Sequence, residues 1–157
     1  VPHYEAPPTV VPASFPLLFI DRKSRFNREG RSQNVPNYYQ FKRLDPGDED
    51  WSDVLLMNPV DATTLSIVDG QTVTITTPIN TTGITCKAKL WEGVRAGTVA
   101  KTYGQGHWAY GRFATKNLST ATALTEGGSN NLVIPKDTER ISGGMARYGG
   151  FFAVKVQ

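Results

Sequence analysis

Cysteine and histidine are scarce in this sequence, and their scarcity excludes several kinds of site. The 157 residues include a single cysteine, Cys86, and two histidines, His3 and His107. One cysteine cannot form a disulfide within the chain, and so few histidines and cysteines cannot build a transition-metal site from these two residue types. His107 is not accompanied by the GxSxG motif of a nucleophile elbow. Enzymatic groups are therefore few, and the residues alone favour a binding module.

Long apolar runs are also missing. No stretch approaches the ~20 residues that a membrane-spanning helix requires, and no signal peptide with a charged start and an apolar core is present. We therefore expect no direct insertion into a membrane. A compact domain of this length buries roughly 70% of its unfolded surface, which is enough for a hydrophobic core without disulfides.

The chain has little net charge, but that charge is distributed unevenly. The formal net charge is +3, and residues 21–31 carry five Lys and Arg side chains against Asp21 and Glu29. The stretch "LDPGDEDW" that follows carries four acids. A protein that coats nucleic acid spreads its basic charge over a face or groove, whereas this positive potential is local. The basic stretch is interpreted either as an anion site or as a solvated turn.

The first residues have the composition of a linker. Five prolines stand among the first sixteen residues, "VPHYEAPPTVVPASFP", and proline favours extended backbone without ladder hydrogen bonds. We interpret residues 1–14 as a linker from upstream domains and residues 15–157 as one domain. The chain is then expected to be a fragment of a larger protein.

Beyond the linker, short segments rich in β-branched residues alternate with glycine and proline, a pattern typical of a β-barrel or sandwich. One helix is predicted from Pro59 to Leu65, with Asn58 as its N-cap and Asp61 at its positive end. Cys86 alternates with apolar neighbours and should be buried. The six predicted strands are Phe15–Ile20, Val54–Met57, Thr72–Thr76, Ile84–Leu90, Thr98–Tyr103 and Phe151–Val156.

A glycine-rich stretch, "YGQGHWAYGRF", is the second candidate for binding. Glycines allow backbone amides to approach a ligand, while His107 and Trp108 offer a flat face with a hydrogen-bonding edge, a combination suited to a planar heterocycle. The alternative is a packed loop in which Trp108 anchors the core. A GxG without its strand and helix is not a dinucleotide fingerprint.

The order of these features resembles one family closely. An apolar strand leads into a basic loop, followed by "NPVDATTLSIVDGQTVTI", "GQGHW", "NNLVIP", "ISGG" and "FFAVKV". This order resembles the C-terminal domain of the dimethyl sulfoxide reductase family of molybdopterin oxidoreductases, from Phe15 to Gln157. Ser66 stands where glycine is common in the family, and Gln71 where an acid is common. "GHWAYG" is most similar to the sulfur-oxyanion and arsenic-oxyanion reductase branch.

The resemblance implies a mainly β fold, a six-stranded double-psi β-barrel with short helical insertions. It implies a domain that helps to bind molybdopterin guanine dinucleotide with molybdenum or tungsten. The metal ligand, and any iron–sulfur cluster, would come from upstream domains, so the isolated domain is predicted neither to catalyse the redox reaction nor to hold the cofactor tightly. The partners implied are the upstream domains of the same polypeptide and an electron-transfer iron–sulfur subunit.

The resemblance also implies cofactor-binding residues in three regions, and two of them, the basic loop and the "GQGHW" loop, should meet at one mouth of the barrel. The basic loop would contact pterin and phosphate groups, the glycine-rich loop would approach a pterin, and the C-terminal region would add an asparagine and an aromatic residue. These residues are Arg22, Lys23, Ser24, Arg25, Asn27, Arg28, His107, Trp108, Asn130, Asn131 and Tyr148.

A rival hypothesis from another class is a basic β-barrel that binds single-stranded nucleic acid. That function needs aromatic side chains on strand faces beside a basic groove. Trp108, Tyr110 and Phe113 cluster in one loop instead, so we expect no nucleic-acid partner. A purely structural interaction domain is the third alternative.

Overall fold

The computed structural model describes residues 13–23, 54–104, 128–134, 141–144 and 152–157. Within these residues the chain forms six strands, one α-helix and one 3₁₀ turn. The strands are β1 (Leu17–Arg22), β2 (Val54–Met57), β3 (Thr72–Thr77), β4 (Asn80–Leu90), β5 (Thr98–Thr102) and β6 (Phe152–Val156); the helix is α1 (Pro59–Leu65), and the 3₁₀ turn spans Asn130–Leu132.

The strands close into a barrel in the order β1-β5-β2-β4-β3-β6, and β6 pairs with β1 to complete it. The pairs β1–β5 and β2–β4 are parallel, and the other neighbours are antiparallel. The predicted six-stranded barrel with a short helical insertion is therefore confirmed. Among the described residues no helix is long and apolar enough to cross a membrane.

The barrel interior is filled by alternate side chains of the strands, as the period of two in a β-strand requires. Leu17 and Phe19 of β1, Val73 and Ile75 of β3, and Val99 of β5 all belong to this core. The strand β2 is buried on both faces, because Val54 and Leu56 pack outside the barrel against Val94 and Ala100. Thr76 departs from this alternation, because it is buried beside Ile75, and its hydroxyl donates to the carbonyl of Lys155.

The helix begins as predicted. The side chain of Asn58 accepts from the amide of Val60 at 2.9 Å, and its Nδ2 donates to the carbonyl of Val94 at 2.6 Å. Asp61 accepts from the amide of Gly97 at 2.7 Å. The first turn of α1 therefore satisfies its own free amide and also fixes the 91–97 turn that leads into β5.

The helix ends at a residue in the left-handed conformation. Ser66 has φ 57° and ψ 38°, and its amide bonds to carbonyls of the last turn. That conformation explains why glycine is common here in the family that the sequence resembles, since a Cβ costs roughly 1–2 kcal/mol in it.

We expect Ser66→Gly to raise the free energy of unfolding slightly, by up to about 1 kcal/mol, because part of the gain is offset by the greater freedom of glycine in the unfolded chain. Urea unfolding of the two chains measures this. Thr63→Gly, inside the same helix, should instead lower stability by about 0.3–0.5 kcal/mol, because glycine is a weaker helix former than threonine. A fall in stability with Ser66→Gly would show that the serine stabilises the helix end in another way.

The single thiol lies in the barrel core. Cys86 is 2% exposed and shares the inner face of β4 with Ile84 and Ala88, as the alternation predicts. We expect a thiol reagent to label Cys86 slowly in the folded chain and rapidly in denaturant, because a buried thiol must become exposed before it reacts. Absorbance after addition of a chromogenic disulfide measures both rates. Immediate stoichiometric labelling of the folded chain would contradict the burial.

Candidate functional site

The carboxyl ends of β1 and β5 lie side by side. These strands are parallel, with Asp21 opposite Lys101 and Arg22 opposite Thr102. The amide of Tyr103 donates to the carbonyl of Arg22 at 3.0 Å, so the pairing continues one residue beyond β5. The chain therefore leaves both strands in the same direction. We call this end of the barrel, formed by Asp21, Arg22, Val54, Lys101 and Thr102, the loop end.

Strand polarity also returns the chain to the loop end. The strand β2 is antiparallel to β5, with Leu55 opposite Lys101, so β2 begins at the loop end with Val54. Segment 24–53 thus starts and finishes there. Segment 105–127 starts after Tyr103 and Gly104 and finishes at Gly128, whose carbonyl accepts from Lys101 Nζ. The strand β6 runs antiparallel to β1, so its first residue is the one nearest the loop end. Segment 24–53, which contains most of the basic stretch, and segment 105–127, which contains most of the glycine-rich stretch, are therefore both anchored at the loop end at their two ends.

A buried polar network occupies the inside of the loop end. Lys101 is fully buried, and its Nζ donates at 2.8 Å to both the carbonyl of Gly128 and Oδ1 of Asn130. Nδ2 of Asn130 donates to Oδ1 of Asp21 at 2.6 Å and to the carbonyl of Lys101 at 3.2 Å. An ammonium group only donates and an ionised carboxylate only accepts, so these partners fix the orientation of the Asn130 amide. The asparagine therefore bridges a cation and an anion.

The sequence folds this way because polar residues take core positions at one end of two apolar strands. Asp21 follows Leu17 and Phe19 at the same period of two, and Lys101 follows Val99. Lysine is rarely fully buried unless its charge is paired. Burial at this point therefore requires the carbonyl and amide acceptors that residues 128–130 supply.

The outer face of the loop end fits a ligand that is anionic and accepts hydrogen bonds. Arg22, the last residue of β1, is half-buried on this face. Lys23 follows and is exposed. Across the strand pair, the hydroxyl of Thr102 is buried and has no hydrogen-bond partner among the described residues. Two cations beside a buried hydroxyl are suited to phosphate and polar ring groups.

The structure separates the predicted site residues into three groups. Arg22 is the last residue of β1 and Lys23 follows it at the loop end. Asn130 is buried, whereas the side chain of Asn131 is exposed. The remaining predicted residues lie outside the described residues: Ser24, Arg25, Asn27, Arg28, His107, Trp108 and Tyr148.

Sequence reasoning missed Asp21, Lys101 and Thr102. The signal for Lys101 was available, because a lysine at an inward position of an apolar strand indicates a buried partner. In the described ranges, no three His, Cys, Asp or Glu residues come together as a potential metal site.

Comparisons with known proteins identify the family of this chain. Residues 28–149 match the family described as "Molydopterin dinucleotide binding domain". The chain is 51% identical to the molybdopterin-containing subunit of arsenate respiratory reductase from Shewanella sp. (strain ANA-3), over 95% of this chain and 17% of that protein. It is 49% identical to the corresponding subunit from Chrysiogenes arsenatis, over 100% of this chain and 18% of that protein.

Two further similarities are more distant. A selenate reductase subunit from Mesobacillus selenatarsenatis is 30% identical over 59% of this chain and 9% of that protein. Acetylene hydratase from Pelobacter acetylenicus has the same fold, with a TM-score of 0.63 and 18% identity, over 99% of this chain and 21% of that one. The chain thus spans less than a fifth of the length of the arsenate reductase subunits it matches.

Proposed function

We propose that the loop end of this chain, which belongs to the molybdopterin dinucleotide binding domain family, holds the dinucleotide in an oxyanion reductase. One observation supports this location for the dinucleotide site: the segments that contain the basic and glycine-rich stretches are both anchored at the loop end. One cofactor contains both phosphates and a planar pterin, so cationic and aromatic surfaces must converge on it.

The residues of this chain would bind and orient the group. Arg22 and Lys23, with Ser24, Arg25, Asn27 and Arg28 of the basic segment, would neutralise the pyrophosphate and donate hydrogen bonds to it. His107, Trp108 and Tyr148 would pack against ring surfaces, and Asn131 would offer an exposed amide. When bound, the cofactor supplies redox chemistry at its molybdenum or tungsten. The chain's own contribution is position, charge neutralisation and exclusion of water.

We propose an arsenic oxyanion as the substrate class of the intact protein. Identity of about half to two arsenate respiratory reductase subunits, across 95% and 100% of this chain, supports that class above others. The weaker similarity to a selenate reductase keeps selenium oxyanions as the second candidate. The partners in this proposal are the rest of the polypeptide and an iron–sulfur electron-transfer subunit.

Nucleic-acid binding has less support. A stacking surface for bases needs aromatic side chains on the outside of strands. Phe19, the aromatic residue of β1, is 1% exposed and belongs to the barrel core, so β1 offers no aromatic side chain on its outer face.

The test is a composition analysis of the intact protein that contains this domain. Acid hydrolysis should release guanine nucleotide and an oxidised pterin in fixed proportion to polypeptide, and elemental analysis should find molybdenum or tungsten. Reduced viologen dye should be oxidised faster with arsenate than with selenate. Protein free of pterin and guanine nucleotide would refute the binding function, and preference for selenate would refute only the substrate class.

A further inference from the structure

We propose that Lys101 is a positioning residue, which holds the 128–134 segment and the end of β1 in the arrangement that binds the cofactor. This inference rests on the proposed function. It also assigns different roles to the two neighbouring asparagines. Asn131 contacts the cofactor, and Asn130 acts through the buried network.

The contacts of Lys101 argue for this role. Its side chain is fully buried, and its ammonium group donates to Gly128 and Asn130 rather than only to neighbours in the barrel. Both acceptors lie on the segment that follows residues 105–127, which contain most of the glycine-rich stretch. A buried ammonium is tolerated only where such acceptors replace water. Lys101 and residues 128–130 therefore hold each other in one fixed position.

The contacts of Asn130 extend the network to the basic segment. Its Nδ2 has two hydrogens, and these are donated to Asp21 and to the carbonyl of Lys101. Asp21 directly precedes Arg22 and Lys23, the first residues of the basic stretch. A displacement of Asn130 would therefore move the start of that stretch and the 128–134 segment together.

The same contacts remove Asn130 from direct donation to a ligand. Both hydrogens of its amide are used, its oxygen accepts from Lys101, and 2% of the residue is exposed. Asn131 is the next residue on the same 3₁₀ turn, and its side chain is exposed. The turn thus has one asparagine directed inward to the network and one available to a ligand.

The test compares variants of the intact protein by two measurements, the melting temperature of the cofactor-free form and the rate at which the loaded form loses guanine nucleotide during incubation and gel filtration. Lys101→Met keeps the length of the side chain but removes its three donors, and should release the dinucleotide about tenfold faster or more. Asn131→Ala should accelerate release with an unchanged melting temperature. Asn130→Ala should accelerate release and also lower the melting temperature.

Two matched controls distinguish positioning from general loss of stability. Val154→Ala removes core volume where β6 pairs with Leu17, four residues before Asp21 along β1, and should lower the melting temperature without faster release. Lys155→Met removes an exposed lysine of β6 and should change neither quantity.

The positioning role would be overturned if Lys101→Met and Val154→Ala lowered the melting temperature equally and released the dinucleotide at the same rate. If that variant does not accumulate as folded protein, Lys101→Gln, which retains two donors on a shorter side chain, is judged by the same criterion. Normal release from Asn131→Ala would overturn the division between the two asparagines. Wild-type protein without guanine nucleotide would instead refute the proposed function itself.

Discussion

Gly83→Ala should lower the free energy of unfolding by at least about 3 kcal/mol, because two independent costs add at this position. Gly83 has φ +75°, where an L-residue with a Cβ is strained. A Cβ built there would lie 2.3 Å from the carbonyl oxygen of Ile75. That oxygen belongs to the backbone of a fully buried residue at the β3–β4 bulge, so it cannot move aside easily. Urea unfolding of this chain measures the loss.

Gly70→Ala is the matched control. Gly70 has a similar φ of +80°, but a Cβ there would meet nothing within 4 Å. This substitution therefore carries only the backbone cost, roughly 1–2 kcal/mol. Equal effects of the two substitutions would contradict the close approach at Gly83 and would assign the whole effect to backbone conformation.

The difference between the two glycines illustrates what the sequence can predict. The turn at Asp69 and Gly70 follows from local residue preferences, and the structure has it. The importance of Gly83 depends on the bulge between Ile75 and Thr77 in the partner strand, which no local pattern indicates. The same pairing extends β4 back to Asn80, beyond the predicted start at Ile84, because tertiary pairing overrides weak strand propensity.

Most other elements could be predicted because their signals are local. A short apolar run predicted β2, the alternation of apolar and polar residues predicted most of β3, and the sequence Asn58-Pro59 predicted the start of α1. The two departures from the family pattern are also local in their effects. Ser66 adopts the left-handed conformation, and Gln71 accepts from the amide of Val68 through Oε1 at 3.0 Å, as an acid could.

The candidate site could be predicted only in part. Composition and resemblance identified the basic and glycine-rich segments, but the sequence could not distinguish Asn130 from Asn131. That distinction depends on Lys101, which stands 29 positions before Asn130 and is brought to it by the barrel. Charged residues at inward positions of otherwise apolar strands are therefore worth marking in a sequence even when their partners are unknown.

The basic segment should make the largest electrostatic contribution to cofactor affinity. Segment 24–53 begins and ends at the loop end, because β1 finishes at Arg22 and β2 starts at Val54 there. Arg25 and Arg28 lie early in this segment, so we propose that their guanidinium groups pair with the phosphates. A hydrogen bond to a charged group contributes about 1.5–3 kcal/mol, so two such losses weaken binding by roughly 10²-fold or more.

We therefore expect the double variant Arg25→Ala and Arg28→Ala to carry little or no guanine nucleotide when the intact protein is purified. The melting temperature of its cofactor-free form should be unchanged.

The charge-matched control is Arg95→Ala with Lys155→Ala, two exposed cations. Arg95 precedes β5, whose first residue pairs with Leu18 near the start of β1, away from the loop end. The control loses the same net charge, so it should retain the dinucleotide if the attraction is local. Full nucleotide content in the Arg25 and Arg28 variant would mean that the basic stretch is a solvated turn, and equal losses in both variants would mean that only the overall charge of the domain matters.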